Sequence, residues 1–313
     1  MNGWLILGAF GLDLLLGDPR GWPHPVIWIG RLIRRFEDLW TALLGRTRLA
    51  GILLTLSTLL AAGGAAWGLL ALAWAVHPWL QTAAGLWLAW TCLALRSLHR
   101  ESLAVVRQLE AGDLEAARRA LSFIVGRDTA ELDEEGILRA AIETVAENTS
   151  DGVVAPLFYL CLGGPVLGIL FKAASTLDSM VGYENERYRE VGWASARLDD
   201  LLNLVPARLT GWLIILAAGP LRLNARAALK VLRRDGRKPK SPNAGIPESA
   251  VAGALDIRLG GPAVYLGRQV EKPTLGDGER PVTPAAYRGA VHLMYLASLF
   301  TLGLGLIFIG AWR

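Results

Sequence analysis

The chain of 313 residues is 53% hydrophobic, with 12 tryptophans, two cysteines and a formal net charge of +4. A mean hydropathy of +0.37 and long uncharged runs exclude an ordinary soluble domain. Both cysteines fall in apolar runs, which excludes a secretory disulfide framework, and the basic excess has no aromatic-interleaved platform for nucleic acid.

The N-terminal stretch 2–17 lacks the basic start and small-residue cleavage site of a signal peptide, so it reads as a retained, short first span. GDPRGWPHPVIWIGRLIRR, residues 17–35, is a proline-stiffened loop in which His24 reads as structural. Six basic residues in 18–48 put that segment on the cytoplasmic side. Stretches 49–76 and 79–95 hold 28 and 17 residues without a charge and read as spans joined outside at His77-Pro78. Segment 96–152 then returns to the cytoplasm as helices, with Asp113 as an N-cap and Leu132, Ile137, Ala141 and Val145 on one apolar side. Stretch 153–171 is interrupted by Pro156 and by Gly163-Gly164-Pro165, and stretch 201–221 by Pro206 and Arg208. Both are expected to turn back, since broken helices are tolerated where protein or a cavity covers them. Segment 222–289 carries 13 basic against 6 acidic residues and belongs inside, against anionic lipid. The run 290–312 is a last span, ending at Trp312 and Arg313, and Trp4, Trp40, Trp67, Trp79 and Trp212 suit an interfacial belt. The expected architecture is an all-α polytopic integral membrane protein, one membrane-embedded domain over 1–313. It has about four full spans, two re-entrant or broken helices, and cytoplasmic helical segments at 96–152 and 222–289.

Polar residues concentrate at the lips of these apolar stretches. Glu143, Glu147 and Asp151, at four-residue spacing, form a carboxylate stripe suited to Mg²⁺ or an ammonium group, or else a solvated helix face balanced by Arg139. Block 172–200 packs Lys172, Asp178, Tyr183, Asn185, Arg187 and Arg197 between two membrane stretches, with a turn at 182–185. That grouping suits an anionic substrate as well as an amphipathic surface helix. Asn243-Ala244-Gly245 ahead of Pro247 forms a turn into a helix whose first N–H groups could hold an anion. The chain has no P-loop, no dinucleotide fingerprint and no Cys/His metal cluster.

Four stretches taken together resemble the CobD/CbiB family, the adenosylcobinamide-phosphate synthases. They are DLLLGDPRGWPHPVIWIGRLI, ENTSDGVVAPLFY, TLDSMVGYENERYREVGWASARLDDLLNLVPARLTG and SPNAGIPESAVAGALDIRLGGPAVYLG, about a third of the chain and in order. Ser175 stands where the family leads one to expect Asn, and Asp256 where Gly is common. The resemblance implies a helical, membrane-embedded ligase at the inner membrane, its active face cytoplasmic. It implies an amide bond between adenosylcobyric acid and aminopropanol phosphate or a related amino alcohol, with ATP as co-substrate and Mg²⁺. It also implies association with lipid and with other cobalamin-assembly enzymes. On that reading Glu147, Asp151 and Asp178 serve as catalytic base or metal carboxylates, with Glu143 completing the metal set. Lys172, Arg187 and Arg197 bind anions, while Tyr183, Asn185, Asn148, Asn243 and Gly245 position substrate. The alternative is a corrinoid-binding membrane protein or transporter without catalysis, since broken helices and intramembrane charge serve those too.

Overall fold

The computed structural model describes residues 3–18, 21–183, 185–265 and 267–311. Glu184 of the expected turn and the expected interfacial end Trp312–Arg313 lie outside the described residues. The chain folds into two compact units, each assembled from more than one stretch.

The first unit takes residues 1–94, 155–203 and the stretch from Leu302. It contains α1 (Gly3–Leu16), α2 (Pro25–Leu44), α3 (Arg48–Val76), α4 (Pro78–Trp90), α8 (Ala155–Val181) and α9 (Trp193–Leu202). Three local signals start three of these helices. The His24 and His77 rings accept the backbone N–H groups of Val26 and Trp79, each ahead of a proline at the first helical position, and Thr47 accepts that of Ala50. His24 is therefore structural, as expected, and its other ring nitrogen lies 3.3 Å from Asp18. Helix α3 buries a stripe of small residues, Gly51, Thr55, Thr58, Ala62 and Ala66, which lets neighbouring backbone approach closely. A Cβ on Gly51 would lie 2.0 Å from the Val191 carbonyl oxygen. Helix α8 breaks at Gly163 and Gly164, the latter at φ +69°, just before Pro165.

The second unit takes residues 95–154 and 204–301. It contains α5 (Leu95–Glu110), α6 (Leu114–Ser122), α7 (Glu134–Thr149), a π-helical turn over Ser150–Val154, α10 (Leu204–Ala218), α11 (Ala225–Asp235), α12 (Gly245–Leu255), a small antiparallel hairpin of β1 (Ala263–Tyr265) and β2 (Arg268–Val270), and α13 (Pro284–Ala311) as far as Thr301. Asp113 caps α6 as expected, accepting the Ala116 N–H at 2.8 Å. Helix α12 is buried along nearly its whole length. It packs so tightly on α11 that a Cβ on Gly253 would lie 2.6 Å from the Ala227 carbonyl oxygen. The end of α11 is locked by Asp235, a fully buried carboxylate held by Arg234, by Lys238 at 2.6 Å and by the Gly276 N–H at 2.9 Å. Segment 222–289 is thus not wholly helical, because Gly260, Gly261 and Gly267, all at positive φ, turn the chain into the hairpin.

The all-helical, polytopic class is the one observed; the expected spans 49–76 and 290–312 fall in span-capable helices, while the other apolar stretches differ in part. Three described passages are long and apolar enough to cross a membrane, Arg48–Val76, Glu134–Val181 and Pro284–Ala311, or four if α9 and α10 count as one bent span. Helices α1 and α4 have 14 and 13 residues, roughly 20 Å at 1.5 Å per residue against a hydrocarbon core of about 30 Å. Neither 2–17 nor 79–95 therefore makes a full span alone. Stretch 153–171, expected to be re-entrant or broken, is broken at Gly163 and Gly164 within a passage long and apolar enough to span. The expected break in 201–221 is real, but it falls at Asn203, ahead of Pro206 and Arg208. Pro206 has no N–H for the Leu202 carbonyl, and the Tyr159 hydroxyl donates to it at 2.7 Å.

Candidate active site

In the second unit, the residues expected on one carboxylate stripe do different work. Glu143 is buried on α7, and both of its oxygens are engaged. Oε2 accepts the Arg127 guanidinium, and Oε1 accepts the Gly260 N–H at 2.7 Å. Glu147 lies one turn on, and Asp151 sits half-buried in the π-helical turn. That turn has a local cause: Pro156 cannot donate an N–H and its ring crowds the carbonyl four residues back, so the helix widens there. The Asn148 amide turns back to the Thr144 carbonyl at 3.0 Å.

Glu248 on α12 joins this group from the other side. Burial, and then the charges of Glu147 and Glu143, raise its carboxyl well above the usual range, against the opposing pull of Lys272 and Arg127. Burial pulls the Lys272 ammonium down, but a hydrogen bond to the Tyr265 hydroxyl and the charges of Tyr265 and Glu143 leave it raised. Its nitrogen is 5.1 Å from the centre of the Tyr265 ring. The carboxyl groups of Glu143, Glu147 and Glu248 thus act on one another here, opposed by Lys272 and Arg127. Burial and the two like charges favour the protonated form of Glu248.

Asn243 and Gly245 shape the start of α12. The N–H groups of Asn243 and Ala244 both donate to Ser241 Oγ at 3.3 Å, and the Ile246 N–H donates to the Asn243 carbonyl at 3.0 Å. The N–H groups of Asn243, Ala244 and Ile246 are thus taken up internally. The Asn243 side chain accepts from Arg208 at 3.0 Å. Gly245 is buried where a Cβ would lie 2.7 Å from the Gly236 carbonyl oxygen, so its role is close packing.

The other expected residues lie in the first unit. Asp178 on α8 folds its carboxylate over Gly182, where a Cβ would lie 2.0 Å from Oδ1. Asp200 on α9 is within electrostatic reach of it. Lys172 is partly buried one and a half turns earlier on α8. Arg197 is exposed and pairs loosely with Asp200 at 3.9 Å. Arg187, expected to bind an anion, donates to Glu37 at 3.1 Å and stacks its guanidinium over Tyr188. Glu37, buried on α2, also faces Arg46 at 3.8 Å. Asn185 accepts the Tyr188 N–H at 3.0 Å, and Tyr183 is half exposed beside Tyr188.

No three His, Cys, Asp or Glu side chains among the described residues are placed to hold a metal ion, and Glu143 is already engaged. Sequence reading missed Arg127, Glu248, Lys272, Tyr265 and Glu37. Glu248 stood in the fourth quoted stretch, where an acid inside the apolar run GIPESAVAGAL was the available signal.

Fold and site together define a helical membrane protein with a buried cluster of charged side chains. The chain matches the family model for CobD/Cbib protein over residues 6–294. It is 55% identical over 293 residues to the cobalamin biosynthesis protein CobD of Geobacter metallireducens, covering 94% of this chain and 92% of that one. It is 48% identical over 303 residues to the CobD of Klebsiella pneumoniae, with 95% and 94% covered. It is 47% identical over 308 residues to the cobalamin biosynthesis protein CbiB of Salmonella arizonae, with 96% and 95% covered. The chain belongs to the CobD/CbiB family. No solved structure matches it.

Proposed function

We propose that this protein is an amide-forming ligase joining a side-chain carboxylate of adenosylcobyric acid to aminopropanol phosphate, or a related amino alcohol, to give adenosylcobinamide phosphate. Family membership supports a role in cobalamin biosynthesis. The observation that carries the chemistry is the Glu248 cluster, a buried carboxyl group on α12 among the charges of Glu143, Glu147, Lys272 and Arg127. A primary ammonium entering there meets several carboxyl groups, and Glu248 takes the proton the amine must lose before it can attack. The carboxylate to be acylated needs activation, which ATP as co-substrate supplies by forming an acyl phosphate and releasing ADP. Attack by the amine then releases phosphate. Glu147 and Asp151 would hold magnesium bound to the nucleotide phosphates, since Mg²⁺ needs only one or two protein carboxylates when phosphate oxygens supply the rest. Lys272 and Arg127 hold the developing negative charge. We place the protein in the inner membrane with these groups facing the cytoplasm, where ATP is available.

The test uses protein purified in detergent and incubated with adenosylcobyric acid, amino alcohol phosphate, ATP and Mg²⁺. The expected result is one ADP released per amide product. If no cobinamide-type product forms across a panel of amines, the ligase reading is wrong.

A further inference from the structure

Arg208 is the one charged residue in the apolar helix α10, and it interrupts an otherwise apolar stripe. Leu204, Trp212 and Leu216, spaced at four residues on either side of it, are 39%, 48% and 60% exposed. Its guanidinium is tied in place by neutral acceptors only. Nη1 donates to the Leu204 carbonyl at 2.7 Å and to Asn243 Oδ1 at 3.0 Å, and Nη2 donates to the Pro242 carbonyl at 3.3 Å. These bonds fix its position without neutralising its charge. Arg233 and Arg237, both exposed, line with Arg208, Trp212, Leu232 and Ile246 a groove of about 370 Å³. Among the described residues no carboxylate pairs with any of the three arginines. The acid between two of them in sequence, Asp235, is taken up by Arg234, Lys238 and the Gly276 N–H.

Three guanidinium groups around one concavity, with no anion among them, repel one another, and a bound anion relieves that repulsion. Guanidinium pairs offer forked donors that match phosphate oxygens. We propose that this groove is a phosphate-binding site, independent of the ligase chemistry. The exposed apolar stripe favours a lipid phosphodiester, with acyl chains along Leu204, Trp212 and Leu216 and the headgroup on the arginines. A soluble phosphate would engage the same arginines without needing the stripe.

The test titrates purified full-length protein, in uncharged detergent, with short-chain phosphatidylglycerol, short-chain phosphatidylcholine and inorganic triphosphate, read by calorimetry. Phosphatidylglycerol is expected to bind at least tenfold more tightly than phosphatidylcholine. The Arg233→Gln/Arg237→Gln double variant should weaken that binding by roughly tenfold or more, at about 1 kcal/mol per basic residue. This variant carries the test because both side chains are exposed, whereas Arg208→Gln would also loosen the turn at Pro242–Asn243. A matched control, Arg258→Gln/Arg268→Gln, removes two exposed charges from the same unit outside the groove and should leave affinity unchanged. Triphosphate binding lost only in the groove variant would keep the site and make its ligand a soluble phosphate. Failure of both anions to bind, or equal losses in the groove and control variants, overturns the proposal.

Discussion

Asp256 ends α12 in the left-handed conformation, at φ +58° and ψ +43°, which costs an L-residue about 1–2 kcal/mol where glycine is free. Its ion pair with Arg280, at 3.2 Å and well exposed on both sides, offsets little of that. Asp256→Gly should therefore raise stability by about 1 kcal/mol, read as a higher midpoint in thermal unfolding. A lower midpoint would mean that the Arg280 pair outweighs the backbone strain. The family pattern already hinted at glycine here, but only the dihedral supplies the reason. Glu248 is the more consequential residue. Its raised folded-state pKa makes a contribution to stability that is fully present below the ordinary carboxylate range. That contribution is lost as pH rises through the folded value. Glu248→Gln should therefore gain thermal stability relative to the parent as pH rises above the ordinary carboxylate range, while turnover falls by about two to four orders of magnitude. Normal turnover with the stability change intact would make Glu248 a buried acid with no part in the chemistry. Periodicity could not single out Glu248, because its partners Arg127, Glu147 and Lys272 are far from it in the chain and a one-dimensional pattern carries no such proximity.

Among the elements, the break between α9 and α10 shows how a missing donor is made good. The Leu202 carbonyl, deprived by Pro206, accepts from Tyr159, whose ring also stacks on Phe171 at 5.0 Å. Tyr159→Phe keeps the ring and removes the donor, leaving a carbonyl unsatisfied at a cost of about 1–3 kcal/mol. That loss should appear as a lower unfolding midpoint in detergent, and an unchanged midpoint would show that water or a relaxed helix end serves equally well. The sequence made the presence of a break legible through Pro206. It did not locate it, because proline disturbs the carbonyl four residues back and the helix ends where that disturbance can be absorbed. Similarly, apolar length marked 79–95 as a span. His77 and Pro78 start α4 on time, but Thr91 and Cys92 turn the chain after 13 residues, and no charge or proline announces that end. The kink in α8, written in Gly163-Gly164-Pro165, was readable because only glycine enters φ +69° without strain.

For the whole molecule, the membrane setting follows from its exposed apolar side chains. Trp67, Leu72 and Trp74 on α3 and Ile307 on α13 are each more than half exposed, more than an aqueous surface would tolerate in such helices. Sidedness can be tested against a clean background, because Cys92 and Cys161 are both buried. Tyr183→Cys, at a position 52% exposed, should resist an impermeant thiol reagent added to intact cells and react once they are opened. Labelling from outside would move block 172–200 to the other face and remove its access to ATP. The first unit is closed by the stretch from Leu302 onward. There a Cβ on Gly305 would lie 2.4 Å from the Cys161 sulfur, so the last helix is seated directly on α8. A ribosome delivers that stretch after every other helix of the unit has emerged. Until then α1–α4, α8 and α9 wait in the bilayer with one wall missing. The order of synthesis is thus not the order of completion, because the wall against α8 closes only once the stretch from Leu302 has been made.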